Sequence, residues 1–221
     1  MGTITRGLSN NITTGGVILP AGITNASVSA VTAFSGVTGA GTLVLLSTQT
    51  ASNSATISFT TGLDSTYDAY EFHFIEIQPR TDAVNFTFNF STDSGSNYNV
   101  TKTTTSFYAQ HDEADTTTAL SYDTVRDLAQ STNFQLLNSS DSIGNGADES
   151  LAGSLQLFNP SSTTYVKHFI SNCNFYYYGN YSINSYVAGY GNTTSAVNAI
   201  QFKMSSGNYD GVIKLYGVKK S

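Results

Sequence analysis

From residue 42 onward, apolar and polar side chains alternate with a period of two, and clusters of Asn, Asp, Ser, Gly and Pro break the pattern at intervals. Successive side chains of a strand point to opposite faces, so this alternation predicts half-buried β-strands. Residues 43–47 and 55–60 read as two strands separated by a loop over 49–53. Tyr70, Phe72 and Phe74 alternate with Glu71 and His73, and the run continues through Ile77 to Pro79, which ends it. The clearest case sets Val84, Phe86, Phe88 and Phe90 against Asn85, Thr87, Asn89 and Ser91. It predicts an antiparallel strand with one apolar and one wet face, entering a hairpin turn over 93–97. Residues 98–108 would be the return strand, and because neither of its faces is strongly apolar it suits a sheet edge or a subunit contact.

Residues 111–146 carry most of the net negative charge and the sole helical-turn candidate, 123–130, and read as a polar crossover at the surface. Alternation resumes over 151–157, 165–170, 183–190, 196–204 and 212–218, with 208–211 as a hairpin turn between the last two. About ten short strands with almost no helix predict an all-β fold, an antiparallel β-sandwich of jelly-roll type, with a closed barrel as the alternative. Residues 1–41 differ. They hold Gly15-Gly16, Pro20-Ala21-Gly22 and a small-residue run over 35–41, with no acidic residue and Arg6 as the single basic one. Too few large apolar side chains are present for a core, so the segment reads as an extended N-terminal arm, with a disordered leader as the other reading. Arg6, Val17, Ile18 and Leu19 are its candidate anchoring residues, and 42–221 form the sandwich domain.

Composition agrees with strands. Of 221 residues only 11% are charged, against a usual figure near 25%, and 12% are aromatic. A net charge of -6 with nine Lys and Arg argues against nucleic acid, since neutralising phosphates takes clustered cations. No apolar stretch approaches the roughly 20 residues of a membrane span, and the segment from Met1 to Gly7 lacks a basic-then-apolar leader, so synthesis in a cytoplasm without membrane insertion is expected. Cys173 is alone and reads as a small buried side chain.

Catalysis would require a nucleophile beside a base, a carboxylate pair or a metal triad, and no motif of these kinds occurs. His73, His111 and His168 are scattered. The acidic clusters at 112–115 and 141–149 offer hard oxygens for calcium, yet neither has the spacing of a calcium loop, and solvated loop charges are the favoured reading. No catalytic residue, metal or cofactor is therefore expected. Five aromatics fall within 175–181, and Tyr176, Tyr177, Tyr178 and Tyr181 are candidates for glycan or subunit contact because a phenol joins a flat apolar face to a polar tip. In a strand Tyr176 and Tyr178 face one way and Phe175 and Tyr177 the other, so one set is expected in the core or an interface.

Several strings together resemble small virion structural proteins of marine tailed bacteriophages. They are the opening Met1-Gly2-Thr3-Ile4-Thr5-Arg6-Gly7, residues 54–60 with Gly62-Leu63-Asp64-Ser65-Thr66-Tyr67, the block 90–99, Leu157-Phe158-Asn159-Pro160-Ser161-Ser162, and the closing Ile213-Lys214-Leu215-Tyr216-Gly217. The resemblance spans nearly the whole chain and implies a non-enzymatic component of the virion surface with no catalytic residues to transfer. The expected role is a tail-fibre or receptor-binding subunit, a homotrimer whose arm docks on other virion proteins and whose sandwich meets host surface glycan. A capsid decoration protein and a free glycan-binding module are the alternatives.

Overall fold

The computed structural model describes residues 12–13, 16–17, 42–177 and 179–219, and the chain divides into two compact units, 1–40 and 41–221. In the first unit, β1 (Ile12–Thr13) pairs antiparallel with β2 (Gly16–Val17). Arg6, Ile18, Leu19 and Tyr178 lie outside the described residues, and Val17 is described in its backbone alone.

The second unit is all-β and antiparallel, with no helix among the described residues. Its strands are β3 (Leu43–Ser54), β4 (Ile57–Phe59), β5 (Ala69–Pro79), β6 (Phe86–Ser91), β7 (Lys102–Asp112), β8 (Thr118–Tyr122), β9 (Gln135–Leu136), β10 (Leu151–Phe158), β11 (Lys167–Tyr177), β12 (Tyr181–Gly191), β13 (Ala199–Met204) and β14 (Tyr209–Val218). An eight-stranded sheet runs β3-β14-β5-β10-β11-β12-β7-β8, and a four-stranded sheet runs β4-β13-β6-β9. The large sheet ends in the edges β3 and β8, which excludes a closed barrel. The sheets face each other through aromatic rings: Phe59 meets Phe72 at 5.3 Å, Phe74 meets Phe86 at 5.2 Å, and Phe88 meets Phe169 at 5.0 Å between centroids. Most connections switch sheet, as in jelly-roll sandwiches. The sheets are nevertheless unequal, because β10, β11 and β12 form a meander within the larger one.

Sheet switching corrects two hairpins expected from the sequence. The 93–97 turn leads β6 out of the small sheet and into β7 of the large one, and β13 hands over to β14 in the same way. The turn itself forms as expected: Asp93 Oδ1 accepts from Asn97 N at 2.9 Å and from Ser91 Oγ at 2.6 Å, and these hydrogen bonds hold its carboxyl down to about 2. Residues 49–53 are strand rather than loop, since exposed Thr and Ser pair readily with β14 even without an apolar face. β7 is not an edge, because β8 from the expected crossover covers it. Over 123–130 no helix forms. Asp123 instead accepts from Val125 N at 3.1 Å and Ser140 N at 2.7 Å and fastens the segment as a turn.

The largest departure concerns β6, whose six residues are all buried. Its wet face is sealed by the 98–101 and 131–138 segments. Asn89 Nδ2 donates to Tyr98 O at 2.9 Å and to Thr132 O at 2.8 Å, and Thr87 Oγ1 donates to Lys203 O at 2.9 Å. A polar face can be buried at little cost when each donor and acceptor is paired. The crossover is thus partly interior, with Leu137, Ile143, Gln135, Asn138 and Ser139 inaccessible to solvent.

Candidate functional site

One face of the eight-stranded sheet is spent on the interior, and the other is solvent-facing. Period two places Thr103, Thr105 and Phe107 of β7, Tyr186, Ala188 and Tyr190 of β12, and His168 and Ile170 of β11 on that outer face. Antiparallel register then sets them side by side. Ala188 lies opposite both Thr105 and Ile170, while Tyr190 lies opposite Thr103 and His168. Phe107 opposes Tyr186, and their rings stack at 4.7 Å with 7° between planes.

The small side chain of Ala188 between larger neighbours leaves a depression of about 490 Å³, walled by Phe158, His168, Ile170, Tyr190, Thr103 and Thr105. Beneath it Gly189 allows β12 and β7 to approach closely, since a Cβ there would sit 2.4 Å from Thr103 O. A second depression of about 470 Å³ adjoins the first and shares Phe158 and His168, with Asn159, Ser162, Thr164, Tyr165, Val166 and Thr194 completing it. Its shape comes from the turn after β10. Asn159 adopts φ 42, a left-handed conformation Asn tolerates, its amide donates to Asp68 O at 2.6 Å, and Ser162 N returns to Asn159 O at 3.1 Å. Among the described residues no hydrogen bond occupies the His168 imidazole or the Tyr165 and Tyr190 hydroxyls, and His168 meets Tyr190 edge-on at 6.1 Å. Aromatic walls with free hydroxyls suit stacking and hydrogen bonding to a ligand.

The tyrosine cluster is divided by its strand. Tyr177 and Tyr181 pair across β11 and β12, bring their rings to 5.6 Å and pack against the core, whereas Tyr176 sits on the alternate face. Tyr176 Oη donates to Asn180 Oδ1 at 3.0 Å, and partial desolvation, then the Glu113 charge, raises its pKa. Tyr176, Tyr177 and Tyr181 therefore do not form one platform.

Other candidates are occupied by local structure. Asp112 accepts from Thr116 N, Thr116 Oγ1 and Thr117 N, which holds its pKa down and closes the turn before β8. In the second acidic cluster Glu149 Oε2 accepts from Gly146 N at 2.5 Å. Among the described residues no three His, Cys, Asp or Glu side chains are placed to share a metal ion. His73 contacts Glu71 at 2.8 Å and packs on Tyr216. Cys173 is fully buried, and desolvation pushes its thiol up to about 12. The depressions went unnoticed in the sequence, although one signal was present. With Lys167, Phe169 and Cys173 facing inward, Ile170, Tyr186 and Tyr190 are large residues on the parity that should be polar.

Compared with known protein families, with curated proteins and with solved structures, the chain matches none.

Proposed function

We propose that this chain is a non-enzymatic structural protein of a bacteriophage particle: a tail-fibre or receptor-binding subunit that assembles as a homotrimer and presents the outer face of its eight-stranded sheet. The observation that carries this reading is the set of large side chains left on that face and its edge. Leu120 is 75% exposed, Ile170 53%, Phe107 42% and Tyr186 38%. Each such group gains by losing water, and a contiguous group of them marks a contact surface. The open edge strand β8 adds unpaired backbone groups beside Leu120 and Tyr122, a position that a neighbouring subunit covers in an oligomer. Residues 1–40, a compact unit of their own, supply the attachment to other virion proteins.

The test is the copy number of the chain in purified virions, by quantitative peptide mass spectrometry against the major capsid protein. A few per cent is the expected result. A ratio near one reassigns the chain to capsid decoration, and absence from the particle overturns the virion role.

A further inference from the structure

We propose that the two joined depressions on the outer face form a binding trough for a neutral oligosaccharide, an inference that rests on the surface-presentation reading above and gives it a ligand class. Charge comes first. No carboxylate, Lys or Arg lines either depression. The nearby Lys167 turns inward, where its Nζ donates to Tyr165 O at 2.6 Å and Thr193 O at 3.3 Å. An anionic or cationic ligand would find no counter-charge, so a neutral one is favoured.

The first depression is mainly apolar and the second more mixed, so together they suit a guest that carries both an apolar face and polar groups. Phe158, Tyr165 and Tyr190 offer aromatic rings, His168 an imidazole and Thr164 a hydroxyl, while the Thr103 and Ser162 hydroxyls, which already accept from Gln130 and from Thr164 N and Tyr165 N, keep an O–H to donate. A pyranose ring has the complementary character, with an apolar C–H face that stacks on an aromatic and a rim of hydroxyls that donate and accept. Volume argues for a chain of rings. Each depression, at about 490 and 470 Å³, falls within the range of about 300–1,000 Å³ typical of small-molecule sites. Sharing Phe158 and His168, they make one trough from Ala188 to Tyr165. Preformed strands hold the Ala188 end, so little ordering is needed on binding.

The test is affinity electrophoresis of the full chain through gels containing dextran, galactomannan or soluble chitin oligomers, with alginate as a charged contrast. The expected result is retardation in at least one neutral gel, weakened at least tenfold by Ala188→Trp, which fills the floor, and by Tyr190→Ala, which removes a wall. Tyr176→Ala, outside the trough, should leave retardation unchanged, and unaltered thermal melts should show both trough variants folded. No retardation in any neutral gel, or retardation in alginate alone, overturns the ligand class. Retardation that survives Tyr190→Ala and Ala188→Trp overturns the location. Virion copy number is indifferent to all of these, so this inference and the virion role fail separately.

Discussion

The two halves of the sandwich both have buried interiors and are held together by different forces. Toward β3, the interior is aromatic: Phe202 alone lies within 6.4 Å of the rings of Phe59, Phe72, Phe74, Phe86 and Phe88. Toward β8, the inward positions of β7 include Lys102, Thr104 and Ser106, those of β12 set Ser185 between Ile183 and Val187, and the partner is the 123–141 segment, of which only β9 belongs to the smaller sheet. Thr104 Oγ1 donates to Gln135 Oε1 at 2.7 Å, Ser106 and Ser139 share a hydrogen bond at 2.5 Å, and Ser139 N donates to Ser185 Oγ at 2.7 Å. Among the described residues no buried side-chain polar atom is left without a partner. Burial of apolar area is non-directional and scales with what is removed, whereas a buried hydrogen bond contributes little net and costs much when only one partner goes. The first half should therefore respond to volume, the second to pairing.

The largest effect should follow Phe202→Ala, which deletes the ring at the centre of the aromatic half. A loss of about 3–5 kcal/mol is expected from urea unfolding, and Phe202→Leu should recover more than half of it. Next comes Asn89→Leu, which keeps the branched four-atom shape but strips the donors from Tyr98 O and Thr132 O and the acceptor from Lys102 Nζ, at 2.5 Å. A cost of about 1–3 kcal/mol is expected despite the added hydrophobicity. If Asn89→Leu proves neutral, pairing does not govern this half and the contrast collapses.

Lys102 sharpens the contrast through pH. Its ammonium is wholly buried with Asn89 Oδ1 and Val100 O as acceptors and no carboxylate, and desolvation lowers its pKa from 10.5 to about 7. Between those values the unfolded chain holds a proton the folded chain has released, so stability rises with pH. Below about pH 7 both states are protonated and the folded state bears the full cost. From pH 7 to pH 9 the gain should be up to about 2 kcal/mol. Above pH 9 the raised Cys173 thiol works in the opposite direction, since the unfolded chain then loses a proton the folded one keeps. Lys102→Met should flatten the rise between pH 7 and 9. A slope unchanged in Lys102→Met would assign it to another group.

The halves also differ in how far the sequence disclosed them. Alternation reports which face a residue takes and nothing of its neighbour. The apolar positions of 70–74 and 151–157 therefore lie on the buried face that alternation predicts, while β7 and β14 have other partners than the hairpins predict. In the aromatic half face and burial coincide on β5, where Tyr70, Phe72 and Phe74 are buried and Glu71 and His73 are not. In the polar half they diverge: Asn89, Thr104 and Ser139 look like surface residues and are buried by hydrogen bonds that close only in three dimensions. The trough was hidden for a related reason. Ala188 is unremarkable until register sets it between Ile170 and Thr105, and Phe158 and His168 converge from the two sides of a turn.

The smallest effect on stability is expected where the two halves meet solvent at the sheet edges, Leu120 on β8 beside the polar half and Leu45 on β3 beside the aromatic half. Leu120→Lys and Leu45→Lys alter exposed side chains, so each should change unfolding free energy by no more than about 0.5 kcal/mol. Equal values would confine the difference between the halves to their interiors. Assembly should separate them. β8 is a short edge of five residues with Leu120 and Tyr122 uncovered and the Phe107–Tyr186 stack directly alongside, whereas β3 is long and rich in exposed Thr and Ser. A Lys on β8 places a charge where a neighbouring subunit would exclude water, a standard way of blocking edge contact. Light scattering should show Leu120→Lys as monomer and Leu45→Lys with the mass of the unaltered chain. If Leu45→Lys dissociates and Leu120→Lys does not, the subunit contact lies on the aromatic edge, and the exposed stack of Phe107 and Tyr186 serves something other than assembly.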